Sequence, residues 1–298
     1  MSVVGQSYLV GLLGEGVLPS LTPPLHEREA DEQGLRYLYR PIDLLSLDTE
    51  GQDLDPILEW LLDAAMQLGF NAVNITHPFK QRVLRYLDAT SPSAESIGAV
   101  NTVLLAGGRR IGHNTDVSGF ASALRDGLPG APLDHVVVIG AGGAGAAVTS
   151  ALLQAGALRV TIADLSVARA NALAASLTPR FPEAVIQGIG SIAIPDELKH
   201  GTDAVTGLVN ASFVGMHTHP GIPLDAGLLR PSLWVADVVY RPLDTELLRA
   251  AREAGCRTLD GGGMAVGQAA DAFRLITGAE PDRERMRAHF AEMIREGR

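Results

Sequence analysis

The stretch HVVVIGAGGAGAAVTSALLQAGALRVTIAD, residues 135–164, decides the fold. After His135, residues Val136 to Ile139 run apolar and β-branched, as expected of a strand covered on both faces. Four glycines then crowd into six positions, 140–145. A segment rich in Ala, Val and Leu follows over 144–156 with helical composition and stops at Gly156. A second apolar strand over 159–164 ends in Asp164. Strand, glycine turn, helix, strand is a βαβ unit. Further apolar runs at 184–190, 207–212, 233–239 and 257–262, with helical patterns between several of them, extend it into a parallel, doubly wound sheet.

The chemistry of the turn follows from its context. Gly140-Ala-Gly142-Gly143-Ala144-Gly145 fits G-x-G-x-x-G, a weak pattern alone. Here it leaves a strand, opens a helix, and is followed by an acidic residue 19 positions past Gly145. Glycines let a backbone approach a pyrophosphate closely, and the helix N-terminus offers it unpaired N–H groups. Asp164 suits the ribose hydroxyls of NAD and repels a 2′-phosphate, while Leu165-Ser166-Val167-Ala168 supplies no cation. Arg169 is placed either to stack on adenine or to pair with Asp164. NAD is therefore expected over NADP; a glycine-rich turn without a ligand is the bland alternative.

The first third is organised differently. SYLVGLLG (7–14) and FNAVNIT (70–76) read as buried strands. Between them Asp55 and Pro56 form an N-cap and N1 pair, Ile57, Leu58, Leu61, Leu62 and Ala65 follow at helical spacing, and Gly69 stops the helix. Residues 99–116 read as strand, Gly-Gly turn and strand. From Met264 the chain is helical and amphipathic through Val266, Ala269, Ala270, Phe273 and Leu275, with a charged helix from Asp282. The expected domains are 1–117 with 265–298, and 118–264.

Composition narrows the function. The 298 residues are 46% hydrophobic and 19% charged, enough apolar content for two cores. A net charge of −10 argues against nucleic acid or an anionic membrane as partner. No apolar run reaches a membrane span, and MSVVGQSYLVGLLG has no basic n-region, so the cytoplasm is the expected compartment. A single cysteine, Cys256, excludes a disulfide framework and Cys-based zinc sites, and no metal is expected. Lys80 and Lys199 are the only lysines, so a lysine within a polar motif carries weight.

Three such clusters interrupt apolar surroundings: Ser20-Leu-Thr22; Asn74-Ile-Thr76-His-Pro-Phe-Lys80; and Asn101-Thr102 with Asn114-Thr115-Asp116. Hydroxyls and amides suit a polyhydroxylated carboxylate, and a Lys/Asp pair suits proton transfer. Singly, each also reads as a turn former or cap.

At these residues the chain resembles the shikimate dehydrogenase family. The motifs stand in order along nearly the whole chain: SLTP (20–23), NITHPFK (74–80), GAVNT (98–102), NTDVSG (114–119), GAGGAG (140–145), NASFVGM (210–216), DVVYRPLDTEL (237–247) and GGGMAVGQA (261–269). The resemblance implies an N-terminal α/β substrate domain, a Rossmann-type domain with a doubly wound parallel sheet, and C-terminal helices returning to the first domain. It implies Lys80 and Asp116 as the catalytic pair. Ser20, Thr22, Thr76, Asn101 and Gln268 match substrate positions, with Asn74 and Tyr240 as lesser candidates. Gly140, Gly142, Gly143, Ala144, Asp164, Arg169, Ser212, Phe213, Val214, Gly215, Val238 and Gly261 line the cofactor. Asp164-Leu-Ser in place of Asn-Arg-Thr and Thr22 in place of serine resemble the NAD-dependent quinate/shikimate branch, whereas Phe213 stands where proline is common. The implied reaction moves a hydride between NAD and a ring hydroxyl of a small cyclic hydroxy acid. An aminated ring acid is the alternative substrate, and an NAD-sensing regulatory protein the non-enzymatic one. A homodimer is the assembly considered.

Overall fold

The computed structural model describes residues 7–47, 51–199 and 205–297, so the first six residues and the side chain of Lys199 fall outside it. Two compact units divide the chain: residues 1–115 with 266–298, and residues 116–265.

Unit 1 begins with β1 (Ser7–Gly14), α1 (Thr22–Glu32), β2 (Arg36–Asp43), α2 (Leu54–Gln67) and β3 (Ala72–Ile75). It continues with β4 (Ala89–Thr90), α3 (Pro92–Ile97), β5 (Thr102–Ala106) and β6 (Arg109–His113). Its sheet runs β2-β1-β3-β5-β6-β4, with β1 parallel to both neighbours and β5 antiparallel to β3 and β6. The pattern RYLYRPID of β2 is an edge strand paired only with β1, which is why Pro41 is tolerated inside it. The start of α2 differs from expectation. Its N-cap is Asp53, which accepts from Asp55 N–H, while Asp55 sits in the first turn paired with Arg82 and Arg85. Both aspartates suit a cap, and the chain starts the helix two residues earlier. Leu58, Leu61, Leu62 and Ala65 then bury one face against Leu13, Val73, Ile75 and Phe79. Each such leucine contributes about 1.5–3 kcal/mol by leaving water.

Unit 2 comprises α4 (Asp116–Gly127), β7 (His135–Ile139), α5 (Gly143–Gln154), β8 (Arg159–Asp164), α6 (Val167–Leu177) and β9 (Val185–Gly190). It goes on through α7 (Ile194–Lys199), β10 (Gly207–Asn210), β11 (Trp234–Asp237), α8 (Glu246–Glu253) and β12 (Arg257–Leu259). All six strands pair in parallel in the order β12-β11-β10-β7-β8-β9, the doubly wound arrangement. The unit starts at Asp116, which opens α4, and α4 packs on α5.

The chain then returns to unit 1 through α9 (Gly262–Thr277) and α10 (Arg283–Arg295). An ion pair on a buried carboxylate fastens α10 to α1. Glu29 is fully buried and accepts from Arg285 Nε at 2.9 Å and from its terminal nitrogen at 2.7 Å. Asp282 N–H and Gln33 Nε2 complete its shell. Removing Arg285 would leave the buried carboxylate without its cation, at a cost of at most about 3–5 kcal/mol because the arginine itself is partly exposed.

Candidate active site

In unit 2 the proposed cofactor residues collect at the carboxyl ends of β7, β8, β10 and β11. Strand order reverses between β7 and β10, where crevices form in open α/β sheets. Gly140 turns with φ 109°, and a Cβ there would stand 2.8 Å from Ala211 O. A Cβ on Gly145 would stand 1.9 Å from Gly140 O, so the start of α5 lies directly on the turn. Gly142 caps α5 and has open space in front of it, with no side chain capping the first turn. Bare N–H groups facing open space fit the pyrophosphate of a dinucleotide.

Asp164 is buried at the end of β8. Its Oδ2 accepts from Ala141 N–H at 2.9 Å, and its Oδ1 from Ser166 N–H and the Arg169 guanidinium, each at 2.8 Å. Burial pushes this carboxyl up, but the N–H groups of Ser166 and Ala141 and the Arg169 charge outweigh it and hold it below its ordinary value. Of the two placements open to Arg169, the structure has the ion pair with Asp164.

The loop after β10 is held from within. Asn210 Oδ1 accepts from the Ser212 N–H and hydroxyl, and its Nδ2 donates to Val214 O. Phe213 is exposed, its ring 4.6 Å from that of His219, in a loop closed by Gly215 N–H to His219 O at 2.8 Å. Gly261 lies against Val238 and Val239, where a Cβ would meet both carbonyls within 2.6 Å. Tyr240 follows, half-buried, and the buried Asp116 also belongs to this unit.

In unit 1 the polar residues sit at the carboxyl ends of β1 and β3. Thr76 N–H donates to Leu13 O and Glu15 N–H to His77 O, so the segments after the two strands are tied together. Asp43, at the end of β2, accepts from Gly16 and Leu18 N–H and fixes the approach to Ser20. Ser20 Oγ accepts from Thr22 N–H at 3.3 Å, where α1 begins. Lys80 is half-buried beyond the anchor Phe79, and its carbonyl accepts from Val100 N–H at 2.8 Å. Asn101 donates to Thr115 Oγ1 and accepts from Thr115 N–H, both at 2.9 Å. Asn74 is enclosed: its amide oxygen accepts from Tyr39, and its nitrogen donates to Asn101 O and Thr102 Oγ1. Its amide therefore braces the Asn101 segment. Half-buried Gln268 lies on α9.

Two groups escape a reading by motif. Tyr39 holds Asn74 from a strand that pattern does not announce. Asp237, inside a quoted motif, joins Asn210 to Thr245 through buried hydrogen bonds. Spacing could not have singled out either, because their partners are 35 and 27 residues away or across a turn.

Comparison with known proteins fits this arrangement. Residues 12–103 match the shikimate dehydrogenase substrate binding domain, and residues 261–289 the shikimate 5′-dehydrogenase C-terminal domain. An NADP shikimate dehydrogenase of Pseudarthrobacter chlorophenolicus is 56% identical over 99% of this chain and 98% of its own. The chain belongs to the shikimate dehydrogenase family. A quinate/shikimate dehydrogenase (NAD) of Corynebacterium glutamicum is 48% identical over 97% of this chain and all of its own. The structure of quinate dehydrogenase from C. glutamicum in complex with NAD superposes with a TM-score of 0.86 at 49% identity, covering 96% and 99% of the two chains. This shikimate dehydrogenase family member is thus an oxidoreductase of the shikimate/quinate type, and its family works with a nicotinamide cofactor. Among the described residues no helix is long and apolar enough to cross a membrane, and no cluster of His, Cys, Asp or Glu could hold a metal.

Proposed function

We propose that this protein interconverts shikimate and quinate with 3-dehydroshikimate and 3-dehydroquinate, using NAD. The cofactor part is carried by Asp164: an ionised carboxylate at the end of β8, held beside the glycine turn through Ala141, presents negative charge where a 2′-phosphate would have to go. The bound nicotinamide accepts or returns the hydride. Lys80 takes up and returns the proton of the reacting hydroxyl, and Asp116 hydrogen-bonds that hydroxyl and the ammonium. Ser20 and Thr22 receive the carboxylate. Thr76, Asn101, Gln268 and Tyr240 orient the ring hydroxyls, with Asn74 fixing Asn101 from behind. The units 1–115 with 266–298 and 116–265 serve substrate and cofactor respectively. The protein works in the cytoplasm on small molecules, as a homodimer.

A second reading, use of NADP, has its own support. Relatives at 54–56% identity are named for NADP, and Arg169 is exposed enough to leave Asp164 for a phosphate. Steady-state kinetics with shikimate and quinate, each against NAD and NADP, separate the two. The NAD reading expects kcat/KM to favour NAD, and Asp164→Ser with Leu165→Arg to lower the NAD/NADP ratio by roughly 10- to 100-fold, the worth of a charged hydrogen bond. An unchanged ratio refutes the role of Asp164. Absence of quinate turnover in the parent protein removes the broader substrate range.

A further inference from the structure

Asp237 ends β11 within the sheet edge that carries the proposed dinucleotide site. The residue is 2% exposed, yet its side chain's hydrogen bonds reach three separate segments. Oδ1 accepts from Asn210 Nδ2 and from Val239 N–H, each at 3.0 Å, and Oδ2 accepts from the Thr245 hydroxyl at 2.8 Å. Asn210 passes the restraint onward, with Nδ2 to Val214 O at 2.8 Å and Oδ1 receiving the Ser212 hydroxyl at 2.7 Å. The 212–215 loop, the Val238–Val239 turn and the N-cap of α8 are thereby joined at one carboxyl group.

The described partners of that carboxyl are all neutral. A buried carboxylate with three donors and no cation is costly, and an asparagine would fill the same space without the charge. What the charge adds is strength, because hydrogen bonds to an ionised acceptor are roughly twice as strong as neutral ones.

We propose that ionised Asp237 is a positioning residue for the cofactor: it holds the 212–215 loop and the Val238 turn in the shape that binds the nicotinamide dinucleotide, and its protonation loosens that binding while the protein stays folded. This rests on the dinucleotide reading given above. Burial pushes the group up to about 6, against the hydrogen bonds from Val239, Thr245 and Asn210, so it titrates just below neutrality. The ionisable side chains on the surrounding elements are Tyr240 and Arg241 after β11, Asp244 before α8, Glu246, Arg249, Arg252 and Glu253 on α8, Arg257 on β12 and Asp260 after it. β10 and its loop bring none before His217. Asp244 is exposed and paired with Arg249 and Arg252.

The test is fluorescence titration of the full chain with NADH and with NADPH between about pH 5 and 8. Asp237→Asn is measured alongside, with circular dichroism confirming the fold at each pH. The wild type should lose affinity by about threefold to tenfold on acidification, with a midpoint near that of the group, as charge-assisted bonds become neutral ones. The asparagine variant should bind weakly and equally at both ends. A flat wild-type profile overturns the proposal, and so does a variant with wild-type affinity and wild-type pH dependence. The wild-type profile decides alone if the variant does not fold. Failure of either dinucleotide to bind at any pH refutes the cofactor reading itself, and this proposal with it.

Discussion

Gly142 and Gly145 lie three residues apart in one turn, and alanine at the two positions should do opposite things. At Gly145 the added Cβ would stand 1.9 Å from Gly140 O and 2.8 Å from Gly140 C, both backbone atoms. Strand and helix must separate by more than about 1 Å to restore van der Waals contact. Overpacking of this kind costs about 1–3 kcal/mol, or roughly 2–10 °C in Tm for a chain of this class. At Gly142 the backbone is extended, φ −82° and ψ −169°, and nothing lies within 4 Å of the added methyl. The free protein should therefore be as stable as the parent, or more stable by about 0.4–1 kcal/mol through a less flexible unfolded chain. That methyl nevertheless occupies the space a pyrophosphate needs, and NADH affinity should drop by at least about tenfold. Thermal unfolding without ligand and NADH titration read the two effects separately. If Gly142→Ala melts as low as Gly145→Ala, or binds NADH like the parent, the cradle has been misplaced.

Two further outcomes are expected. Lys80→Ala should lower kcat by about 10²–10⁴ with little change in KM, as for a positioned acid/base group; a loss under tenfold in a folded variant removes Lys80 from proton transfer. His26 is fully buried on α1 against Tyr37, Tyr39 and Phe273, and burial lowers its pKa from 6.5 to about 3. Because the folded value is depressed, the unfolded chain gains a proton below pH 6.5 that the folded chain refuses, and stability falls with pH. Asp237, with its raised value, runs the other way between about pH 4 and 6, so the comparison must be with His26→Leu. From pH 7 to 5 the wild type should lose about 2 kcal/mol of unfolding free energy relative to the variant; a constant difference in urea titrations refutes the burial of a neutral imidazole.

What could be read in advance follows from how local each signal is. The four central strands of unit 2, β7, β8, β10 and β11, are covered on both faces, so their apolar runs stand out, and the glycine turn is marked by two close approaches that only glycine permits. The strand β2 escaped because it lies at an edge and mixes exposed Arg36, Leu38 and Arg40 with buried Tyr39. The cap of α2 was placed two residues late because Asp53 and Asp55 both satisfy the rule, and only the ion pairs of Asp55 distinguish them. For the candidate site, the motifs pointed to residues without separating ligand from brace. Asn74, a lesser substrate candidate by its motif, also has hydrogen bonds to Tyr39 and Thr102 that the spacing of one strand cannot reveal.

The Glu29–Arg285 pair has a consequence in time. The two residues are 256 positions apart, with all of unit 2 translated between them. At about 5–20 residues per second a ribosome needs roughly 13–50 s to deliver the arginine after the glutamate. Through that interval α1 has a carboxylate at a site that is fully buried in the finished protein, and its counter-charge has not been made. The uninterrupted 116–265 segment has no such wait and can mature while unit 1 still lacks its C-terminal helices. The order of assembly is thus the reverse of the order of synthesis for the opening third of the chain, and a nascent polypeptide halted before Arg285 would expose α1 to chaperones and proteases.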